Sequence, residues 1–252
     1  MDRSTKARCM ILLAGTLCVL ASPAYANAQS GGDGFLFRTP NLALIGRVGY
    51  ALPTAASDIF SFTTEQLTVD KADFNAPYFG GQVAVRATRR VDVIVDGGWT
   101  GGTVESEFRD WVGNDDLPIV QTTDFSRWYL TGGAKAYLND RGRTLGRFVW
   151  VPNRWAPYVS GGVGLVWYRF EQVGEFVDFE TLEIFNDQFR SSANTLTVHG
   201  SVGLDISMGS RTFLNTEARY GWGSAGVRSD FFGFGDIDLS GFQATLGIGV
   251  RL

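Results

Sequence analysis

The segment Asp238–Leu252 alternates without a break. Phe242, Ala244, Leu246, Ile248, Val250 and Leu252 hold one parity; Gly241, Gln243, Thr245, Gly247, Gly249 and Arg251 hold the other. A period of two puts these sets on opposite faces of an extended strand, and no helix sorts residues this way. Seven more segments repeat the pattern: Leu42–Leu52, Tyr78–Arg89, Val91–Thr103, Ser126–Leu138, Pro157–Phe170, Asn194–Met208 and Thr212–Trp222. All eight run 11 to 15 residues. Globular strands usually stop at about 5–6 residues. A tilted strand that crosses a bilayer needs about 9–11.

Composition agrees with strands and excludes several classes. Glycine takes 32 of 252 positions, about twice the usual ~7%. No Gly-X-Y period runs through the chain, so collagen is excluded. Mean hydropathy is zero, too polar for a helical membrane protein. Hydrophobic residues make up 44%, too many for a disordered chain.

Residues 1–28 read as a cleaved signal peptide. Arg3, Lys6 and Arg8 form a basic start, Cys9–Ala21 an apolar run of 13 residues, and cleavage is expected after Ala26 or Ala28. The run is too short for a spanning helix. Both cysteines, Cys9 and Cys18, fall inside it, which leaves residues 29–252 without thiols or disulfides. Removing the first 26 residues leaves 19 basic and 25 acidic groups, a charge of 19 − 25 = −6. An acidic chain of this kind is a poor partner for nucleic acid.

Connections alternate in length. Arg89–Arg90 and Gly209–Arg211 are tight, whereas Pro53–Pro77, Val104–Thr123, Glu171–Ala193 and Gly223–Asp236 are long. That is the habit of an outer-membrane barrel. Asn139–Ala156 breaks the rule, being long where a short turn belongs, and it holds Arg141, Arg143, Arg147 and Arg154. It reads as an insertion with room for one more short hairpin, so ten strands stay open beside eight.

The apolar row could face lipid or, in a lipocalin-like soluble carrier, the inside. The opposite row is rich in glycine and holds Arg47, Arg86, Asp92, Asp96, Lys135, Asp205, Glu217 and Arg219. Mixed charges of this kind can pair inside a closed lumen. Tyr50, Trp99, Trp128, Tyr137, Trp167, Tyr220 and Trp222 lie near strand ends, as interfacial girdles do. The expectation is an all-β, eight-stranded antiparallel transmembrane up-and-down barrel, with the apolar row towards lipid.

The signal peptide, the long strands, the segment Ala156–Leu165 (APYVSGGVGL) and the end Leu246–Leu252 (LGIGVRL) resemble small bacterial outer-membrane β-barrels. The group includes the OmpA transmembrane domain and the OmpX- and OmpW-like proteins. Members usually end in Phe or Trp, whereas this sequence ends in Leu252. The resemblance implies a monomer in the cell outer membrane with periplasmic termini. Its partners would be outer-membrane lipid and lipopolysaccharide, and the barrel-insertion machinery during biogenesis. It implies a structural or surface-interaction role through the loops, without cofactor or metal, and no enzyme. A narrow channel, or a transport pore for small or hydrophobic solutes, is the alternative.

A second alternative is enzymatic. His199 and Ser201 share a strand face, with Glu217 on the next strand. Histidine, serine and carboxylate can form a nucleophilic triad. The His-x-Ser spacing is similar to that of lipid A 3-O-deacylases, but Val202–Asp205 lacks the asparagines that follow in those enzymes. The acidic stretch Glu171–Asp187 reads as a solvated loop, with divalent-cation binding as the less favoured reading.

Overall fold

The computed structural model describes residues 34–252 apart from 114, 115, 180 and 182, and the backbone alone of Ser229. The expected signal peptide and both cysteines lie outside the described residues. Eight antiparallel strands close into one ring: β1 (Leu42–Pro53), β2 (Ala76–Arg86), β3 (Val91–Val112), β4 (Pro118–Tyr137), β5 (Trp155–Val177), β6 (Ile184–Ser207), β7 (Thr212–Trp222) and β8 (Gly241–Arg251). Each pairs with its sequence neighbours, and β1 closes on β8 from Ala43 opposite Arg251 to Pro53 opposite Gly241. At the level of the ring, closure gives every strand a partner on both sides.

Parity decides what each strand shows. Leu44, Val48, Val83, Val93, Val95, Leu130, Val163, Val198, Val202, Leu246 and Ile248 point outward and are exposed. The inward row is buried, and Arg47, Gln82, Asp96, Lys135, Asn215 and Glu217 belong to it.

Four strands are longer than the sequence pattern suggests. β3, β4, β5 and β6 run 22, 20, 23 and 24 residues, against 11 or 12 for the other four. The stretches read as long loops, Val104–Thr123 and Glu171–Ala193, are mostly strand, paired into two hairpins beyond the rest of the ring. The physical reason is a reversal of polarity at unchanged parity. Below the reversal β4 turns Trp128 and Leu130 outward and Arg127, Thr131 and Lys135 inward; above it Ile119 and Phe125 point inward and Thr122 and Asp124 outward. A search for apolar-out strands stops where the apolar row changes sides.

Four contiguous strands therefore rise as a curved wall, and two loops fill its hollow. The β1–β2 connection carries helix α1 (Asp58–Gln66) and a 3₁₀ turn (Lys71–Phe74). The β7–β8 connection pairs Ser224–Ala225 with Ile237–Asp238. Ile59 and Phe60 of α1 are buried with Phe74, Phe108, Ile119, Phe125, Phe170, Phe231 and Ile237 in one apolar cluster. Phe60 sits at its centre, with ring centroids 5.0 Å from Phe74, 5.2 Å from Phe125 and 5.7 Å from Phe170.

The arginine-rich connection after β4 forms a short hairpin, Gly142–Leu145 with Val149–Pro152, which is not part of the ring. Gly146 at its turn has φ +65, a conformation glycine adopts without strain. Backbone bonds of 2.8 Å in both directions join Trp150 to Leu36, so the segment before β1 runs beside the hairpin. Among the described residues no helix is long and apolar enough to cross a membrane.

Candidate functional site

The lumen at mid-height is a cross-braced charge network. Arg47 on β1 reaches across to Asp96 on β3 and to Glu217 on β7, the latter at 2.7 Å. Arg219 on β7 reaches the same two carboxylates, at 3.1 Å and 3.0 Å. Gln82 donates to Asp96 at 3.1 Å and Tyr158 to Glu217 at 3.0 Å. Two arginines thus meet two carboxylates away from water, where shared partners offset the cost of desolvation. One layer towards the start of β1 and the end of β8, Asp205 accepts from Tyr137 at 2.9 Å and from Asn215 at 2.7 Å. Lys135 is fully buried there, its Nζ 4.1 Å from the centroid of the Tyr158 ring, a cation–π arrangement. Asp92 accepts from Arg141 at 2.6 Å. Of the eight charged positions singled out in the sequence, seven are buried and Arg86 is partly exposed at the end of β2, donating to the Thr88 carbonyl at 3.2 Å.

Glycines leave room for the large inward rings. A Cβ at Gly80 or Gly98 would collide with the Tyr78 phenol, and one at Gly203 with the Tyr158 ring. Between the charges and the apolar plug, Thr131, His199, Arg219 and Gln243 line a cavity of about 20 Å³. That holds a water molecule or so. Arg127 marks the boundary, donating to the Leu239 carbonyl at 3.0 Å with its guanidinium 5.1 Å from the Phe125 ring.

His199, Ser201 and Glu217 are buried on the inward row but do not meet as a relay. The Ser201 hydroxyl is 2.6 Å from that of Ser160. Among the described residues neither ring nitrogen of His199 has a hydrogen-bond partner. Glu217 is held by Arg47, Arg219 and Tyr158. A relay needs the base within about 2.6–3.2 Å of the nucleophile. The acidic stretch read as a solvated loop is strand from Glu171 to Val177 and again from Ile184. Among the described residues no group of three or more histidine, cysteine or acidic side chains could hold a metal ion.

The wall carries a second arrangement. Phe79, Trp99, Trp128 and Trp167 are register partners across β2, β3, β4 and β5 and form an outward aromatic row. On β5 the outward row from Trp155 to Trp167 is Pro157, Val159, Gly161, Val163 and Leu165, then turns to Arg169 and Glu171. A groove of about 690 Å³ runs over the row, bordered by Arg169, Arg190 and Arg228, with Asp124 as its one carboxylate among the described residues. Among the described residues none of these three guanidiniums pairs with a carboxylate. Neither the tryptophan register nor the arginines' convergence could be read beforehand, because both depend on strand pairing.

No family model and no curated sequence matches the chain. Solved structures similar in fold include the outer membrane protein OprG from Pseudomonas aeruginosa, 13% identical, with a TM-score of 0.49 over 85% of this chain and 97% of that one. Neisserial surface protein A is 9% identical, with a TM-score of 0.45 over 87% and 97%. Ail of Yersinia pestis is 13% identical, with a TM-score of 0.45 over 85% and 100%. Each likeness is one of fold, at low identity.

Proposed function

We propose that this protein is an integral outer-membrane barrel, a monomer with both termini in the periplasm, whose long hairpins and plugged loops present an interaction surface outside the cell. The uncharged outward belt carries this reading. Trp155 and Trp167 are 12 residues apart, about 30 Å of height at ~3.3 Å per residue and ~40° tilt. That matches the hydrocarbon thickness of a bilayer. No outward residue at this level is charged on any of the eight strands. A soluble carrier would need the reverse arrangement, apolar inside and polar outside.

Arg169, Arg190 and Arg228 stand just past the tryptophan row, at the height of lipid headgroups. Guanidiniums there suit the phosphates of lipopolysaccharide. Handling by the barrel-insertion machinery follows from the same reading. The salt-bridged lumen and the apolar plug weigh against a channel. The separated His199, Ser201 and Glu217 weigh against a deacylase.

Membrane fractionation and gel mobility test the proposal. The protein is expected in the outer-membrane fraction, with a folded band that shifts on boiling. Recovery as a detergent-free monomer from the periplasm would overturn it. Planar bilayers should register no steady conductance, and Ser201→Ala should leave lipid A acylation unchanged.

A further inference from the structure

The arginine-rich connection between β4 and β5 has no part in the barrel wall, yet it closes a cavity at the terminal end of the lumen. The cavity is about 600 Å³ and is lined by Arg86, Arg89, Arg141, Arg143 and Arg251. Two carboxylates line it as well. Asp140 is held by Arg89 at 2.9 Å and by Arg90 at 2.8 Å. Asp205 is occupied by Tyr137 and Asn215. Asp92, just behind, is taken by Arg141. Among the described residues Arg86, Arg143 and Arg251 have no carboxylate partner.

Arg251 is the informative one. It is 7% exposed, with its guanidinium carbon 4.5 Å from the Phe213 ring centroid and 5.8 Å from that of Trp150. The two rings fix its position. One terminal nitrogen donates to Ser207 at 2.9 Å, while the other is buried without a partner among the described residues. A buried cationic donor left open is costly unless something completes it. Concave walls of low dielectric also concentrate the field of like charges.

We propose that this cavity binds a small, soluble phosphorylated anion, gripped by Arg86, Arg143 and Arg251 beneath the Gly142–Pro152 hairpin. Guanidinium forks match phosphate oxygens. The volume exceeds what a single oxyanion fills and lies in the ordinary range for small-ligand sites. Arg143 thereby gains a role that the barrel alone does not give it.

Isothermal titration of the full-length mature protein in zwitterionic detergent micelles, with inorganic pyrophosphate as the probe, tests this. Saturable one-to-one binding is expected at low salt. Arg143→Glu, on the exposed hairpin, should weaken it at least tenfold, and Arg86→Gln should weaken it further. Arg147→Glu, on the same hairpin but outside the cavity, should leave it unchanged. Arg251→Ala is a poorer probe because it ends a barrel strand; boil-shifted gel mobility checks that each variant is folded. Absence of saturable binding, or equal weakening by Arg147→Glu, overturns the proposal. Phosphatidylglycerol added to the micelles should not change the affinity; competition by it would assign the arginines to a lipid headgroup instead and overturn the soluble-ligand proposal.

Discussion

The lower and upper halves of the barrel are built on the same strands with opposite chemistry. At the belt, β4 and β5 show tryptophan, leucine and valine outward and keep arginine, lysine and serine inside. Past the tryptophan row the same two strands, without a change of parity, show charge outward and bury Ile119, Phe125 and Phe170. The switch is what a strand does on leaving lipid for water. In lipid the outward side is the apolar one, and the inside is free to hold polar groups if they pair. In water the inside must supply the apolar core. The lower half is held by geometry-dependent ion pairs, the upper half by non-directional burial. The two should fail in different ways.

The largest effect is expected from breaking the lower half at its hub. Arg47→Ala leaves Asp96 and Glu217 buried with Arg219 alone, and losing one member of a buried network costs about 3–5 kcal/mol. Denaturant unfolding in micelles measures it. Replacing Arg47, Asp96, Glu217 and Arg219 together by methionine or leucine should cost less than the single change, because no charge is then stranded. A single variant milder than the quadruple one would refute the network.

Phe60→Ala tests the upper half. Removing a buried phenylalanine costs about 3–5 kcal/mol, but here the loss falls on docking of the β1–β2 loop. Protease should cleave within residues 54–75 while the boil-shifted band of the barrel persists. Global unfolding on this substitution would show that the two halves are one cooperative unit.

The eight ring segments were legible because parity and polarity coincide at the belt. The upper hairpins were not, since their charged outward residues look like loop once polarity reverses. Glu171 and Asp187, for example, read as solvated loop and instead belong to β5 and β6. The plug was illegible for another reason. Phe60, Phe74 and Phe231 lie in connections without a period, and only closure of the ring brings them together. The inward side of Arg47 and Asp96 follows from parity, whereas their pairing spans the lumen between non-adjacent strands. Sequence spacing carries no trace of that.

Val163 and Val173 make the comparison within one strand. Both are outward on β5 and exposed, one inside the belt and one above it. Val163→Arg places a guanidinium in hydrocarbon, at about 2–4 kcal/mol. Val173→Arg places it in water and should cost little. Equal effects in lipid vesicles would remove the membrane boundary from the tryptophan row.

The smallest effect concerns the same kind of pair in the opposite environment. Asp140 is bound by Arg89 and Arg90 at the terminal end, with side-chain exposures of 31%, 80% and 58%. Hydrogen bonding from Arg90, aided by the charge of Arg89, holds its carboxyl below the usual value of 3.8. A depressed carboxylate stabilises the fold above its unfolded pKa, and that contribution fades as pH falls through the folded value. Any loss therefore belongs below about pH 4, and solvent screening keeps it small. Asp140→Asn should barely move the unfolding midpoint at neutral pH and should flatten its decline in acid. A neutral-pH loss matching that of Arg47→Ala would mean that location in the lumen is not what gives the central pairs their weight.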